Sequence, residues 1–172
     1  MNLQDNDFAL FGLAERFHQD RAAIDARWKE LQREAHPDRF AAQGAAAQRV
    51  AMQWSVRINE AYQRLKDPLK RAAYLCELRG APINAESNTA MPARFLMEQM
   101  EWRESLEEAE SEAALEALND TLLEARGAVL RDIERQLDEA SDPQAAAGQV
   151  RALMFIERFA AEVEAKLDRI HG

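Results

Sequence analysis

Apolar residues recur at steps of three and four along most of this chain, the spacing that places side chains on one face of an α-helix. A first run joins Ile24, Trp28, Leu31 and Ala35, and a second begins at Val50 or Ala51 and continues through Trp54, Ile58, Ala61, Tyr62 and Leu65. Pro37 disfavours the α region for the residue before it, so the first helix is expected to end at about Ala35. The pattern therefore predicts two helices joined by an exposed turn that carries His36, Pro37 and Asp38.

Shorter segments flank this pair of helices. The residues from Phe8 to Leu13 predict a short apolar element, and Asp67-Pro68 predicts the start of a further helix, since proline fits the first helical position. A stretch rich in glycine, proline and small polar residues then interrupts the helical pattern. The predicted boundaries are a first domain over residues 1–79 that includes the further helix as a brace, a linker over 80–91 and a second domain over 92–172.

The second domain contains three helical patterns. They are predicted from Pro92 to about Ala109, from a cap at Ser111 to about Ala140, and from Asp142-Pro143 to about Ile170. Their apolar seams are Phe95, Trp102, Leu106 and Ala109 in the first, Leu115, Leu118, Leu122, Val129, Ile133 and Leu137 in the second, and Leu153, Ile156, Ala160, Val163, Leu167 and Ile170 in the third. Seams at these steps are typical of an antiparallel helical bundle. The predicted fold class is all-α, a helical hairpin followed by a three-helix bundle.

The first helix of the bundle carries a second apolar stripe. Leu96, Met97 and Met100 lie roughly 100–140° away from its seam at 100° per residue. Arg103 and Glu104 extend this stripe, and Glu101 borders it. Two interpretations stay open: the stripe packs at a joint between the domains, or it is a partner surface of adaptable methionine and leucine rimmed by charge.

Composition narrows the range of functions. Of the 172 residues, 47% are hydrophobic and 31% charged; residues 1–79 hold 13 Lys and Arg against 11 Asp and Glu, whereas residues 80–172 hold 9 against 20. An acidic second half is a poor binder of polyanions, which argues against nucleic acid as a partner. No apolar run approaches the roughly 20 residues that span a membrane, and the first residues carry Asp5 and Asp7 rather than a basic signal. We therefore expect no membrane partner and a cytoplasmic protein.

The sequence offers little for catalysis or metal binding. The single cysteine, Cys76, excludes an intramolecular disulfide and a cysteine-rich metal site within one chain, and we interpret it as a small buried hydrophobe rather than a reactive thiol. His18 and His171 are isolated in the sequence, and no glycine-rich phosphate loop or recognisable nucleophile is present. His36 and Asp38 on an exposed turn lack a pocket that would position a substrate. We predict no catalytic residues, no cofactor and no metal site.

The His36-Pro37-Asp38 turn has two interpretations. Proline and aspartate are common in turns of any kind, so the tripeptide alone is weak evidence. Here it lies between two amphipathic helices, and the second ends in Ile58-Asn59-Glu60-Ala61-Tyr62-Gln63-Arg64-Leu65-Lys66-Asp67-Pro68, which is followed by Arg71-Ala72-Ala73-Tyr74. In this context the first half resembles the J-domain, the module with which J-proteins stimulate the ATPase of an Hsp70 chaperone. The resemblance implies that His36, Pro37 and Asp38 contact the Hsp70.

Three cations surround this turn. Lys29 and Arg33 are four residues apart on the side of the first helix that lies nearly opposite its apolar stripe, and Arg39 follows the turn. Composition alone favours a solvated charged face softened by Asp25 and Glu30. The J-domain resemblance instead implies that the three cations meet an acidic Hsp70 surface, where charge mainly governs encounter rate and orientation.

A second resemblance covers almost the whole chain. The segment Phe95-Leu96-Met97-Glu98-Gln99-Met100-Glu101-Trp102-Arg103-Glu104 lies in an acidic three-helix half that follows a J-domain-like half. In this order, length and motif the chain resembles the HscB family, J-domain co-chaperones of iron-sulfur cluster assembly. The resemblance implies a bundle that binds the cluster scaffold protein IscU and a J-domain that delivers it to the dedicated Hsp70, HscA. The implied scaffold-binding residues are Leu96, Met97, Met100, Glu101, Arg103, Glu104 and, from the third bundle helix, Phe155.

Two departures and two alternatives accompany this interpretation. Trp102 and Ser105 stand where a smaller apolar residue and an acidic residue are expected, which leaves the edge of the scaffold footprint open. One alternative is a general J-protein that serves another Hsp70. The other is an acidic helical adaptor, outside the chaperone system, in which His36-Pro37-Asp38 is coincidental.

Overall fold

The computed structural model describes residues 2–172, and within that range the regular secondary structure is helical, with no strand. The α-helices are α1 (Asp7–Phe11), α2 (Arg21–Ala35), α3 (Ala45–Lys66), α4 (Pro68–Leu78), α5 (Ala93–Glu108), α6 (Glu112–Glu134) and α7 (Pro143–His171), with a 3₁₀ segment at Pro37–Gln43 and a π-helical turn at Arg135–Glu139. The chain forms two compact units, the first ending at Leu75 and the second beginning at Cys76. The all-α prediction is confirmed.

The first unit is built on an antiparallel hairpin of α2 and α3. The Trp28 indole N–H and the Gln32 side-chain amide both donate to Asn59 Oδ1, at 2.9 and 2.7 Å, and the Tyr62 hydroxyl donates to Asp25 at 2.8 Å. Four fully buried side chains lie between the helices: Ile24, Leu31, Ile58 and Leu65. Burying each such side chain contributes about 1.5–3 kcal/mol, so this apolar stripe is the main stabilising feature of the hairpin.

Helix α1 packs on the hairpin through a buried carboxylate. Asp7 accepts two hydrogen bonds from Arg64, at 2.6 and 2.9 Å, and lies 2.8 Å from the Arg57 guanidinium. The Asp7 backbone N–H donates to the Tyr74 hydroxyl at 2.9 Å, and burial raises the pKa of Tyr74. Gly12 ends α1 at φ 66°, a left-handed conformation that glycine adopts at little cost. An unpaired buried charge is costly, so the two arginines fix α1 in place.

The second unit is a bundle of α5, α6 and α7. Ser111 and Asp142 cap α6 and α7 as predicted, because their side chains accept hydrogen bonds from the amides of Ala114 and Ala145 at 3.1 Å each. All the seam residues predicted for α5 and α6 are buried. On α7 the prediction is wrong for Ile170, which is exposed. The last turn of α7 lies opposite the first turn of α6, where His171 and Glu112 are 3.0 Å apart, so no further turn covers Ile170.

The non-helical segment between α4 and α5 is packed within the second unit. Arg151 of α7 is buried and donates to the carbonyl oxygens of Ile83 and Ala90, at 2.9 and 3.0 Å. Arg79 donates to the carbonyl of Leu137 at 2.7 Å, in the π-helical turn where the sequence predicted a continuous helix. Carbonyls near a helix end lack intrahelical partners, and Arg79 satisfies one of them. The two arginines thus tie the segment between α4 and α5 to the helices of the bundle.

Candidate functional site

The His36-Pro37-Asp38 turn has the conformation that its proline dictates. Helix α2 ends at Ala35, His36 is extended at φ −62° and ψ 129°, and Pro37 begins the 3₁₀ segment. His36 Nδ1 accepts a hydrogen bond from the Asp38 amide at 3.2 Å, as the side chain of an N-cap does. This bond requires a neutral ring with its proton on Nε2, so the exposed edge of the imidazole is a donor. The Asp38 side chain is 93% exposed and available to a partner cation.

The cations beside the turn are exposed. Asp25 and Glu30, the two acids expected to soften this face, pair instead with Arg21 at 2.9 Å and Arg27 at 3.2 Å. The hydrogen bond from Arg21 is the main cause of a lowered pKa for Asp25. Within residues 2–172, neither Lys29 nor Arg33 forms an ion pair, and both are exposed. Neither cation is therefore held in an ion pair within these residues, although the charge of Lys29 also contributes, less than Arg21 does, to the lowered pKa of Asp25.

The third cation, Arg39, lies against the end of α2. Its guanidinium donates to the backbone carbonyl of Arg33 at 3.3 Å. Carbonyls in the last turn of a helix carry the negative end of the helix dipole, which favours cations there. The structure thus brings Arg33 and Arg39 together beside His36-Pro37-Asp38. Lys29 lies one turn before Arg33 on α2.

An apolar cleft lies beside the turn, where the sequence predicted a buried stripe. Its volume is about 400 Å³, and its lining includes Phe40 of the 3₁₀ segment and Val50, Ala51 and Trp54 of α3. Ala51 is buried as expected of the core, but Val50 is exposed and Trp54 only half-buried. The 3₁₀ segment that follows the turn does not fully cover the first turns of α3, and this part of the predicted stripe remains accessible.

The second stripe of α5 is exposed on the second unit. Leu96, Met97 and Met100 have 48%, 67% and 74% of their areas exposed, and we refer to these three residues as the α5 ridge. Glu101 and Glu104 are exposed beside it. A different face of the same helix carries Phe95, Trp102 and Leu106, which are buried. Helix α5 therefore divides its apolar residues between a buried seam and an exposed surface.

Two further predicted residues connect the ridge side of α5 to α7. Arg103 forms an ion pair with Glu162 at 2.6 Å, and its guanidinium lies 5.0 Å from the centre of the Phe159 ring. Phe155 is half-buried, with its ring edge-on to Phe95 at 5.8 Å and stacked on Phe159 at 5.8 Å. Phe155 thus contributes to the core as well as to the surface, which its position off the α7 seam did not indicate.

Cys76 and His171 are two further titratable residues that the sequence analysis considered. Burial raises the pKa of the Cys76 thiol to about 11, so the thiolate that would act as nucleophile or ligand is scarce near neutral pH. His171 is not isolated, since it pairs with Glu112 and lowers the pKa of that carboxyl. Over residues 2–172, no group of three or more His, Cys, Asp or Glu side chains is arranged to hold a metal ion. Within the same residues, no helix combines the length and apolar character needed to cross a membrane.

Comparison with known proteins shows the family to which this chain belongs. A family model described as the HSCB C-terminal oligomerisation domain matches residues 91–164. The co-chaperone protein HscB homolog of Burkholderia multivorans is 52% identical over 173 residues, which cover 99% of this chain and 98% of that protein. The chain belongs to the HscB co-chaperone family. The homolog from Burkholderia cenocepacia is 51% identical over the same shares of the two chains.

Two solved HscB structures share the fold. The chaperone HscB from Vibrio cholerae is 39% identical and superposes with a TM-score of 0.80, covering 96% of this chain and 99% of that chain. The human co-chaperone protein HscB is 27% identical and superposes with a TM-score of 0.84, covering 99% of this chain and 84% of that chain. The HscB resemblance and the predicted order of a helical hairpin followed by a helical bundle are confirmed.

The structure of this HscB-family chain shows ion pairs around the candidate sites that the sequence analysis missed. Glu162 forms an ion pair with Arg103. Near Lys29, Arg21 pairs with Asp25 and Arg27 pairs with Glu30. The pairs Arg21–Asp25 and Arg27–Glu30 have the four- and three-residue spacing of helix ion pairs, so this signal was present in the sequence. No such local signal exists for Arg103 and Glu162, which lie on different helices.

Proposed function

We propose that this HscB-family chain is a J-protein co-chaperone that binds the iron-sulfur scaffold protein IscU, delivers it to the Hsp70 HscA and stimulates the ATPase of that chaperone. In this proposal the chain acts in the cytoplasm and performs no catalysis itself. The observation that carries it is the presence of two chemically different exposed surfaces in one chain. A charged turn lies in the first unit, and the apolar α5 ridge lies in the second.

The turn has the properties needed to contact an acidic Hsp70 surface that also presents a cation. Asp38 offers an exposed carboxylate, and His36 offers an Nε2–H donor in a ring held by its own hydrogen bond to the backbone. Lys29, Arg33 and Arg39 would provide the electrostatic attraction, because nearby acids are already paired with other residues. Such charge complementarity speeds encounter and sets orientation more than it adds affinity.

The α5 ridge has the properties of a scaffold-binding surface. Leu96, Met97 and Met100 place three large apolar side chains in solvent on one helix, and unbranched methionine adapts to an irregular partner surface. Charged residues surround the ridge: Glu101, Arg103 and Glu104. Phe155 would complete the surface from α7, where its ring packs on Phe95. An apolar centre with a polar rim is the usual anatomy of a protein interface.

The proposal is tested by the steady-state ATPase of the cognate Hsp70 with and without this chain, and with and without the scaffold protein. We expect stimulation by the chain alone and a further increase when the scaffold is added. Stimulation that is unaffected by the scaffold would favour the alternative of a general J-protein for another Hsp70. No stimulation under either condition would favour a helical adaptor outside the chaperone system.

A further inference from the structure

A groove lies between α5 and α6, and Gln149 of α7 also contributes to its lining. Its volume is about 440 Å³, within the size range of binding clefts. Its walls combine apolar and charged side chains: Phe95, Trp102, Ala125, Ala128 and Val129 are apolar, Glu98, Glu101, Glu124 and Asp132 are acidic, and Arg94 is basic. The small alanines of α6 leave the space open, since longer side chains at those positions would fill it.

The charge in this groove is only partly compensated. Asp132 pairs with Arg135 at 2.9 Å, and Glu98 lies 3.6 Å from Arg94, whose side chain is almost fully exposed. Glu101 on α5 and Glu124 on α6 form no ion pair with any residue of the described range 2–172. Two uncompensated carboxylates, one from each wall, therefore border an apolar floor.

This combination fits the side chain of a lysine or arginine. The aliphatic stem of such a side chain packs on apolar surface while its charged head stays at the polar edge. In the groove the stem would lie against Trp102 and Ala128, and the head would lie between the carboxylates of Glu101 and Glu124. Charge-assisted hydrogen bonds of this kind are stronger than neutral ones, so the groove favours a cation over an uncharged segment.

The groove is continuous with the proposed scaffold-binding surface. Met97 of the α5 ridge and Glu101 are four residues apart and therefore adjacent on the helix surface, and Glu101 also lines the groove. A partner seated on the ridge thus reaches the groove across a single turn of α5. We propose that the groove receives a lysine- or arginine-bearing segment of the same scaffold protein. This inference rests on the proposed function of the ridge and adds a second, charge-selective contact to it.

The test compares substitutions on α6, which leave the ridge untouched. Ala128→Leu fills the groove, and Glu124→Gln removes one carboxylate while keeping its size. Matched controls on the outer face of α7 are Ala165→Leu and Glu164→Gln, because both residues are exposed and lie outside the groove. The affinity of each full-length variant for the scaffold protein is measured by titration calorimetry at low and high salt, with a thermal melt of each.

We expect Ala128→Leu to weaken scaffold binding at least about fivefold, since a fully blocked contact of hot-spot size costs this much or more. Glu124→Gln should weaken binding about two- to fivefold at low salt and should reduce its salt dependence, because one screened charge pair is lost. The two controls should bind as the wild type does. The melts should stay unchanged in all four variants, since each substitution lies on an exposed or groove-facing position.

The outcomes separate this inference from the proposed function. If Met100→Ala weakens scaffold binding but both α6 variants bind like the wild type, the groove is not a contact and only the inference fails. A loss with Ala128→Leu but no change in affinity or salt dependence with Glu124→Gln would overturn the assignment of a basic segment. Absence of scaffold binding by the wild type would refute the proposed function together with the inference.

Discussion

Asp38 is the most informative single residue of the turn, because its side chain is exposed while its backbone amide is already bound by His36. Asp38→Asn removes the charge and keeps the shape. We expect ATPase stimulation of the Hsp70 to be abolished while the free energy of unfolding changes by no more than about 0.5 kcal/mol, as is usual at exposed positions. A steady-state ATPase assay and a denaturant melt measure the two effects. Stimulation equal to wild type would remove this turn from the Hsp70 site.

His36 orders the turn through its hydrogen bond to the backbone. Its Nδ1 accepts the Asp38 backbone N–H, so the imidazole ring and the backbone at Asp38 are held in one arrangement before any partner arrives. Pre-organisation of this kind lowers the entropy cost of binding. The ring then presents its Nε2–H in a fixed position, while the Asp38 carboxylate next to it stays exposed to a partner cation.

Cys76 gives a pH dependence that can be checked without any partner. Burial raises the pKa of its thiol from 9.0 to about 11. The folded protein thus keeps the thiol proton more tightly than the unfolded chain does. The stabilising contribution is complete at pH values below the pKa of the unfolded thiol and is lost as the pH rises towards the folded pKa, by roughly 3 kcal/mol in total.

The matching variant is Cys76→Ala, compared with wild type in denaturant titrations at a series of pH values. We expect the free energy of unfolding of the wild type to fall more steeply between pH 9.0 and about 11 than that of the variant. Comparing slopes cancels the constant cost of the smaller side chain. Parallel pH curves for the two proteins would contradict a raised thiol pKa.

At the scale of the element, α5 presents two apolar faces that differ in their response to truncation. Met97→Ala and Met100→Ala remove exposed area without opening a cavity, so stability should barely change, while each should cost about 1–2 kcal/mol of scaffold affinity if central in the interface. Phe95→Ala on the buried face is the control and should destabilise by about 3–5 kcal/mol. Thermal melts and scaffold titrations of the three variants measure both quantities.

The ridge prediction also decides between the two interpretations of the second stripe. If the ridge residues were buried at a domain joint in solution, the methionine variants would melt well below the wild type, by the equivalent of about 2–5 kcal/mol. Phe155→Ala is expected to lower stability more than the methionine variants and less than Phe95→Ala, because the Phe155 ring is half-buried against Phe95 and Phe159.

The basic face of α2 should act mainly on association. Lys29→Glu reverses a charge that has no ion-pair partner within residues 2–172, and we expect it to slow binding to the Hsp70 and to reduce the salt dependence of that rate. Lys70→Glu on α4 is the matched control, since it makes the same charge change at another exposed lysine. Stopped-flow association at two salt concentrations measures the rates. Equal slowing by both variants would mean that net charge, rather than this face, governs encounter.

Helix boundaries were predictable because they depend on local chemistry. Pro37, Ser111 and the Asp142-Pro143 pair fix their termini through backbone restriction and capping, and the helices begin or end within a residue or two of the expected positions. The seam residues were predictable for the same reason, since steps of three and four follow from helix geometry alone.

The remaining features depend on contacts between distant parts of the chain. The π-helical turn contains Leu137. The carbonyl of Leu137 accepts a hydrogen bond from Arg79, which is far away in sequence. Nothing in the sequence distinguishes Arg151 from the other charged residues, yet it is buried and donates to the carbonyls of Ile83 and Ala90. For the candidate sites, sequence indicated the ridge and the turn, but the half-buried state of Phe155 and the α5–α6 groove emerge only when helices are packed together.

At the scale of the whole molecule, the proposed function requires both surfaces on one chain. The turn belongs to the first compact unit and the ridge to the second. Joining two binding modules raises the effective concentration of each partner near the other without any new contact. A chain that delivers a scaffold protein to an Hsp70 should therefore lose its advantage when the two surfaces are placed on separate molecules.

The most direct measurement is the scaffold-dependent ATPase of the Hsp70 with the two surfaces on one chain or on two. One sample contains wild type, and the other contains an equimolar mixture of Asp38→Asn and the triple variant Leu96→Ala, Met97→Ala, Met100→Ala. We predict scaffold-dependent enhancement with wild type and only scaffold-independent stimulation with the mixture, at protein concentrations below the scaffold Kd of the triple variant. Enhancement by the mixture equal to that by wild type would contradict delivery by a single bridging chain.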